Sequence, residues 1–493
     1  MRKLALPMLS GLLSLLVPQP AKALSKFAER LVYWETQSPT LFHPSAEPFD
    51  IEHFEIPFAA LKSDIAHNTP DKIRDALIFD DGPEASHTTD PMVFKKDDGT
   101  NWVRWIINPN DTEFAPALEA WLKTNGLDAT RHTYFKAYRT ASRSMIIEDP
   151  ETGAEFSAKV STNNVNGVSQ SKGEFIDDGE GARFINEHIR FINAKGHFDH
   201  FKVIPEPVFF GIAGLDQSMT VRSLANMERT KNYYMPGTAV LNDALGLEIA
   251  KLNGAEDATA FWKEHFMKAA GLAMGEMYAR AGIFPQSNHS QNLLVELDED
   301  FHPTGKIVIR DLTDMYLDEG FFKSLGKGPE LDKWGQQYVI GRGGQVRLEQ
   351  WLLWQNSIST WPSTPNLAEW SDAYFDAFEH AVSEVTGMNR DELKPTGSAM
   401  YGENGYRTYS LASKGWQEHF QRISQLVPST KVREPHKILA SHDSSGHDFS
   451  RHGLPNARIA RNQKKVSFQQ DAVSNGRVNS RPATPRYMMK GKK

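Results

Sequence analysis

The stretch Ser287 to Asp314, SNHSQNLLVELDEDFHPTGKIVIRDLTD, concentrates side chains that could do chemistry. Two apolar runs, Leu293 to Leu297 and Lys306 to Leu312, flank a segment holding Asp298, Asp300, Pro303 and Gly305, which predicts a β-hairpin with a longer loop. Facing residues of an antiparallel pair have a constant index sum, so pairing Asn292 with Asp311 centres the turn between Phe301 and His302. That register sets an amide oxygen beside a carboxylate at the open end of the hairpin. One neutral and one anionic oxygen suit a Mg²⁺ ion that keeps several waters and bridges nucleotide phosphates. Kinase-like folds use the same logic, with an Asn and a metal-binding Asp. Asn and Asp are also ordinary turn residues; what points to a site is the crowding of His289, Gln291, Asn292, Arg310, Asp311 and Asp314 at one hairpin end. Asp314 is either a further metal ligand or a turn cap.

A second hairpin is predicted upstream. Arg139 to Ile147 (RTASRSMII) runs into the turn residues Glu148-Asp149-Pro150-Glu151-Thr152-Gly153, and Ala154 to Val160 (AEFSAKV) returns. Arg143 and Lys159 then lie on neighbouring strands. With the hydroxyls of Ser142 and Ser144 they form a cradle for phosphate oxygens, Arg as a bidentate fork and Lys as a point charge. The plainer alternative is a solvated strand face, where Lys and Arg are common. Ser161 to Lys172 (STNNVNGVSQSK) reads as a loop-rich connection.

These groups need elements to hold them. Trp262, Phe266, Ala270, Ala273, Met277 and Ala281 recur at three- and four-residue spacing, predicting a long helix over Glu256 to Ala281 with a core-facing stripe and no cofactor role. Gly282 ends it, and Ile283-Phe284-Pro285 leads directly to His289. Strands are predicted at Trp102 to Ile107, Pro205 to Ile212 and in SMTVRSL around Arg222, and helices at Glu113 to Thr124 and Glu180 to Asn193. Downstream, Gln345 to Ile358, Leu367 to Thr386 and Leu411 to Leu426 read as helices. Tyr338 to Gly344 has glycines but no phosphate-loop pattern, and reads as a turn. His436, His442, His447 and His452 are scattered through a Ser- and Asp-rich stretch that reads as a solvated loop.

With 493 residues and a net charge of −7, the chain is long enough for two or three lobes, and its overall charge gives no argument for nucleic acid. Cysteine is absent, which excludes disulfides, thiol catalysis and thiolate metal sites. Arg2 and Lys3, the apolar run Leu4 to Val17 and the small-x-small Ala21-Lys22-Ala23 read as a secretory signal peptide. That run is shorter than the ~20 residues a spanning helix needs, and no later stretch reads as transmembrane. The expected product is exported, periplasmic or secreted. From Leu454 onward the sequence is basic and poor in acids, a disordered tail that either contacts an anionic polymer or lipid or solubilises the chain. The expected organisation is a signal peptide over 1–23, an N-terminal mixed region over 24–130, a nucleotide-binding lobe over 131–320, a helical lobe over 321–453 and a basic tail over 454–493. As a fold class this is α/β (α+β), with a palm-like two-hairpin lobe, kinase-like in logic, beside a helical lobe.

Taken together, the two hairpins resemble the siderophore synthetases that work without a peptide-synthetase assembly line, the IucA/IucC type. That family carries a Ser-x-Arg-Thr strand, a Lys-Leu-Ser strand, a strand ending in Arg-Glu, a Trp-containing helix, Glu-Ala-His-x-Gln-Asn and Arg-Asp. The counterparts here are Arg143-Ser144, Lys159-Val160-Ser161, Arg222, Trp262, His289-Ser290-Gln291-Asn292 and Arg310-Asp311, over roughly Trp102 to Asp318. Ala141 stands where the family has Ser, Ser144 where it has Thr, and Ser287 where it has Glu; its second basic residue has only Lys172 nearby. The resemblance implies adenylation of a carboxylic acid by ATP with Mg²⁺, followed by attack of an amine or alcohol. Arg143, Lys159 and His289 would stabilise phosphate charge, Ser144 and Gln291 would help to hold the nucleotide, and Asn292 and Asp311 would hold the metal. ATP is scarce outside the cytoplasm. Export therefore implies onward delivery into another cell's cytoplasm, an uncleaved anchor or a fold kept for binding, and three functions stay open: an ATP-dependent ligase, a kinase-like phosphotransferase, and a catalytically dead binding protein on the same fold.

Overall fold

The computed structural model describes residues 31, 48–63, 92–140, 143–165, 168–224, 227, 230–332, 338–353, 366–401 and 404–427. All lie in one compact unit, Met1–Val427; a second unit, Pro428–Lys493, falls outside the described residues. The expected signal peptide, Ser142, the scattered histidines from His436 onward and the basic tail therefore lie outside them too. Among the described residues no helix is long and apolar enough to cross a membrane.

Twelve strands make up the first half: β1 Phe49–Pro57, β2 Lys62–Ser63, β3 Val93–Lys95, β4 Asn101–Ile106, β5 Arg131–Arg139, β6 Ser144–Glu148, β7 Glu155–Lys159, β8 Thr162–Val165, β9 Val168–Lys172, β10 Phe201–Val203, β11 Val208–Ile212 and β12 Gln217–Ser223. Nine of them form one antiparallel sheet in the order β2-β11-β12-β7-β6-β5-β1-β4-β3. The boundary expected at 130 and 131 therefore runs through a sheet, since β1 pairs with β5. A helix, α1 (Phe114–Thr124), buries Leu118 and Leu122 in one apolar cluster with residues of this sheet such as Phe54, Trp105 and Phe210. The segment expected to be a loop-rich connection is the hairpin β8–β9. In the sequence its strands flank Asn166-Gly167 between two valines, a strong hairpin signal.

The second half adds β13 Tyr233–Pro236, β14 Ile283–Pro285, β15 Leu293–Leu297, β16 Pro303–Ile309, β17 Met315–Asp318, β18 Val339–Ile340, β19 Gln345–Gln350, β20 Gly397–Tyr401 and β21 Asn404–Ser410. A four-stranded sheet, β10-β16-β15-β13, carries the Ser287-to-Asp314 hairpin. It meets the large sheet through an apolar layer that includes Tyr138, Ile146, Ile204, Tyr234, Leu294 and Val308. Over Gln345–Gln350 the helix expected at Gln345 to Ile358 is instead the strand β19, and its residues 354–358 lie outside the described ones. Val346, Leu348 and Gln350 are buried while Gln345 and Arg347 are exposed, a period of two that only a strand satisfies. The expected helical lobe thus also contains the sheet β19-β21-β20.

Four further helices matter to the site: α2 (Ile176–Asn193), α3 (Ala269–Ala281), α4 (Leu367–Thr386) and α5 (Lys414–Ser424). The expected long helix begins as Ala258–Trp262, capped by Asp257, widens into a π-helical turn over Lys263–Lys268, and continues as α3. Its predicted stripe is buried throughout. Gly271 and Gly275 let α4 approach so closely that a Cβ would stand 2.1 Å from Tyr374 O and 2.4 Å from Phe378 O. At its C-terminal end Gly282 takes φ 64°, the left-handed cap that glycine supplies without strain. Two buried rings close two of the remaining carbonyls: His188 of α2 donates Nε2–H to Ala281 O at 2.6 Å, and His419 of α5 to Ala279 O at 2.8 Å.

Burial pushes His188 down to about 3, helped by Lys327, and His419 down to about 4. Both lie below the ordinary value of 6.5. The unfolded chain therefore takes up protons first on acidification. Stability is fully present above pH 6.5 and declines as the pH falls toward 4, by roughly 1.4 kcal/mol per pH unit for each ring. Asp318, pushed up to about 6 by burial, works in the opposite direction. Urea denaturation at pH 7 and pH 5 should show a smaller acid loss in His188→Gln than in the wild type, because glutamine keeps an N–H donor and cannot titrate. Equal losses would refute the assignment.

Candidate functional site

The upstream hairpin forms as its turn residues predict. Asp149 accepts from Glu151 N and Tyr134 Oη, Gly153 takes φ 71°, and Ser144 faces Lys159 across β6 and β7. Val160 N–H donates to Arg143 O at 3.0 Å, which fixes Arg143 just beyond the last pair. On the other side of β7 lies β12, with Arg222 opposite Ser157. One sheet thus presents Arg143, Lys159 and Arg222 from three neighbouring stretches of chain.

The second hairpin supplies the facing carboxylate, one residue away from the expected register. Leu293 pairs with Ile309, and Arg310 N–H donates to Asn292 O at 3.1 Å, so Asn292 faces Arg310 and not Asp311. The cause is the loop. Asp298 Oδ1 accepts from Asp300 N and His302 N, Phe301 turns left-handed at φ 65°, and the register shifts between Val295 and Leu297. Asp311 then leaves the strand at φ 69°, a conformation that costs a non-glycine residue energy and that Asp tolerates better than most.

Lys159 Nζ donates to Asp311 Oδ1 at 2.8 Å and to Thr313 Oγ1 at 3.2 Å, and lies 3.4 Å from Glu174 Oε2. Glu174 Oε2 also accepts from Arg143 at 3.0 Å, while its Oε1 accepts from Thr220 Oγ1 at 2.8 Å. Arg143 donates further to Gly173 O at 2.6 Å. Arg222 donates from Nε to Glu206 Oε1 at 2.6 Å and from Nη1 to Ser144 Oγ at 3.0 Å, and its Nη2 lies 3.8 Å from Asp311. Side-chain exposure falls from 27% at Asp311 and 14% at Arg143 to 3% at Lys159 and 0% at Glu174 and Glu206. The cluster is a sealed ionic layer with Asp311 and Arg143 at its open side.

Burial works to raise the Asp311 carboxyl, but Lys159, Arg222 and Arg143 outweigh it and hold it well below the usual range. Burial likewise works against the Lys159 charge, and Asp311 and Glu174 overcome it, keeping Lys159 protonated. His289 is pushed down to about 4, by burial first, with Lys172 and Arg310 adding to it and Asp311 opposing; it is a neutral ring at pH 7. Asp178, on the first turn of α2, accepts from Phe175 N at 3.0 Å and is pushed up to about 7 by burial and by Glu174.

Of the residues predicted from sequence, Arg143, Ser144, Lys159 and Asp311 come together. His289 interacts by charge with both Asp311 and Lys172. Gln291 contributes its carbonyl to Arg310 Nε at 3.0 Å. Asn292 donates its amide to Ser287 O at 3.1 Å, and Asp314 accepts from Gln286 N through its backbone. Among the described residues no three His, Asp or Glu side chains form a metal cage. Glu174, Glu206, Thr220 and Thr313 complete the cluster without having been singled out; the visible signal was Pro205-Glu206-Pro207, a lone acid leading a buried strand.

Neither a family model nor a curated protein matches this chain. Among solved structures it is similar to the aerobactin synthetase IucA from a hypervirulent pathotype of Klebsiella pneumoniae, at 11% identity and a TM-score of 0.39, over 71% of this chain and 63% of that one. The ATP-bound form of IucA gives 12% and 0.39, over 69% and 63%. The petrobactin biosynthesis protein AsbB from Bacillus anthracis gives 11% and 0.41, over 64% and 58%. The chain therefore spans 58–63% of the length of these proteins, and at such scores the likeness does not place it in a family.

Replacing Lys159 by Met strands Glu174 and Asp311 without their shared cation, a change that costs about 3–5 kcal/mol when a buried pair is broken. The wild-type advantage from Asp311 is present above the ordinary carboxylate range and lost as the pH falls below it. Chemical denaturation should therefore show the Lys159→Met deficit in full from pH 7 down to about pH 4 and narrowing as the pH falls further, through the depressed Asp311 value. A deficit that does not change with pH would refute the pairing.

Proposed function

We propose that this cluster binds the phosphates of a magnesium nucleotide and serves an ATP-dependent ligase, which adenylates a carboxylic acid and transfers it to an amine or alcohol. The observation that carries the reading is Asp311. It is a partly exposed carboxylate on left-handed backbone, held over a buried lysine between two arginines, and backbone strain of this kind gathers at functional positions.

The donor set fits the metal. Asp311 meets Lys159 and Arg222 through Oδ1, so Oδ2 is the oxygen it would offer the ion. Asn292 spends its amide N–H on Ser287, leaving the amide oxygen. With Asp314 nearby in sequence, these are hard oxygen ligands of the kind Mg²⁺ takes one or two at a time while keeping its waters. Bound there, the ion would neutralise phosphate charge. Arg143, at the edge, is placed to donate to phosphate oxygens, and His289, neutral, to donate a hydrogen bond without adding charge.

Isothermal calorimetry of the full chain with ATP and Mg²⁺ tests this. Binding tighter than about 1 mM, near −4 kcal/mol, and weakened at least roughly ten-fold by Asp311→Ala, is the expected result. Product analysis then separates AMP with pyrophosphate, the ligase outcome, from ADP, the phosphotransferase outcome. No binding at millimolar ATP would overturn both and leave a binding protein.

A further inference from the structure

The chain crosses from the hairpin sheet to the large sheet through Ile204-Pro205-Glu206-Pro207, and this crossover bonds to both sheets in turn. Ile204 N–H donates to Ile309 O of β16 at 2.8 Å, and Ser223 N–H, at the end of β12, donates to Pro205 O at 3.0 Å. Glu206 then holds both sides with one carboxylate. Its Oε1 accepts from Arg222 Nε at 2.6 Å, and its Oε2 accepts from Leu312 N–H at 3.2 Å.

That second donor is the peptide that follows Asp311. Asp311 sits at φ 69°, so the orientation of this peptide decides where its carboxylate stands, and an extended backbone would compete with it. A hydrogen bond from a backbone N–H to a carboxylate is among the stronger ones available. Glu206 is fully buried, and prolines on both sides limit its own backbone freedom. The same side chain therefore locks the Asp311–Leu312 peptide and the Arg222 guanidinium in one frame.

We propose that Glu206 is the positioning residue of the nucleotide site, setting the Asp311 carboxylate against Lys159 and Arg222 without itself touching the ligand. The inference rests on the nucleotide reading above. Groups that support ligands from behind in this way typically change metal affinity about 10- to 100-fold when altered.

The test uses the full chain. In the wild type, hydrogen exchange should show the Leu312 amide as strongly protected as those of β16; a rapidly exchanging Leu312 amide overturns the proposal without any variant. Glu206→Gln removes the charge but keeps one acceptor. It should weaken ATP binding in Mg²⁺ by about 10-fold or more and shrink the ratio between affinity in Mg²⁺ and affinity in EDTA, as Asp311→Asn does. The double variant should bind no more weakly than Asp311→Asn alone. Additive losses, with the Mg²⁺ dependence intact in Glu206→Gln, overturn the proposal and assign Glu206 to general stability. Should Glu206→Gln fail to fold, Glu206→Asp, which keeps the charge but is one methylene too short to reach both donors, is expected to give the same pattern. A wild type that binds no ATP defeats the nucleotide reading itself, a result distinct from a wild type that binds while Glu206→Gln keeps its full Mg²⁺ dependence.

Discussion

A lysine ammonium sealed between two carboxylates is the interaction to which the rest of this structure answers. Removing one ion from water costs several kcal/mol, and only well-placed partners offset it. Lys159 is 3% exposed, and its partners come from distant parts of the chain, Glu174 ahead of α2 and Asp311 beyond β16. The large sheet, the helix and the hairpin must therefore all be in register before the charge is satisfied. Each partner carries its own requirement: Glu174 also needs Arg143 and Thr220. The Glu174 N–H in turn donates to Ser161 Oγ at 2.7 Å. A cluster built this way specifies geometry more than it adds stability.

The hairpin can meet that demand because both its ends are tethered. Its start follows α3, two of whose last carbonyls are closed by rings from α2 and α5 and whose glycines seat it against α4. The loop bearing His289 is tied to β19, since Asn288 donates to Glu349 O and accepts from Trp351 N. Its far strand is stitched to β10 in parallel and to the crossover beyond. Asp311 can hold a left-handed backbone there because neighbours on every side determine it, the condition under which local strain persists.

How much of this was legible in the sequence depended on whether the deciding signal was local. The β6–β7 hairpin was, because Asp149 to Gly153 write their turn in residue types alone, and that sets Arg143 and Lys159 on adjacent strands. The α3 stripe and the Gly282 cap were legible for the same reason. The register of the second hairpin was not: the loop tip folded by Asp298 and the irregularity between Val295 and Leu297 leave Leu293 to Val295 one position off the expected pairing, so Asp311 faces Lys159 of another sheet and not Asn292. Glu174 was invisible as a site residue, and Glu206 showed only as a lone acid between prolines, because their partners lie across strand pairings that no sequence pattern announces. At β19 the aromatic and leucine content of Trp351, Leu352 and Leu353 suggested a helix, whereas the alternation from Gln345 to Gln350 was the better guide.

Charge counting says what kind of ligand such a cluster can admit. Arg143, Lys159 and Arg222 are matched by Glu174, Glu206 and Asp311, so the six charges cancel. Those six charges by themselves offer a bare anion no net Coulomb attraction, and contact with Arg143 competes with a carboxylate that is fully buried and cannot turn to water instead. An anion that arrives with a divalent cation meets a different balance. In the proposed reading the cation would meet Asp311 at the open side, the one carboxylate of the three with exposed surface, and the anion would meet Arg143, the most exposed of the three cations. The burial gradient thus separates a negative and a positive contact at the mouth while the charges behind them stay paired. The nucleotide reading proposed above therefore expects a metal-complexed phosphate rather than a free one, through the depth of each residue and not through any surplus of positive charge.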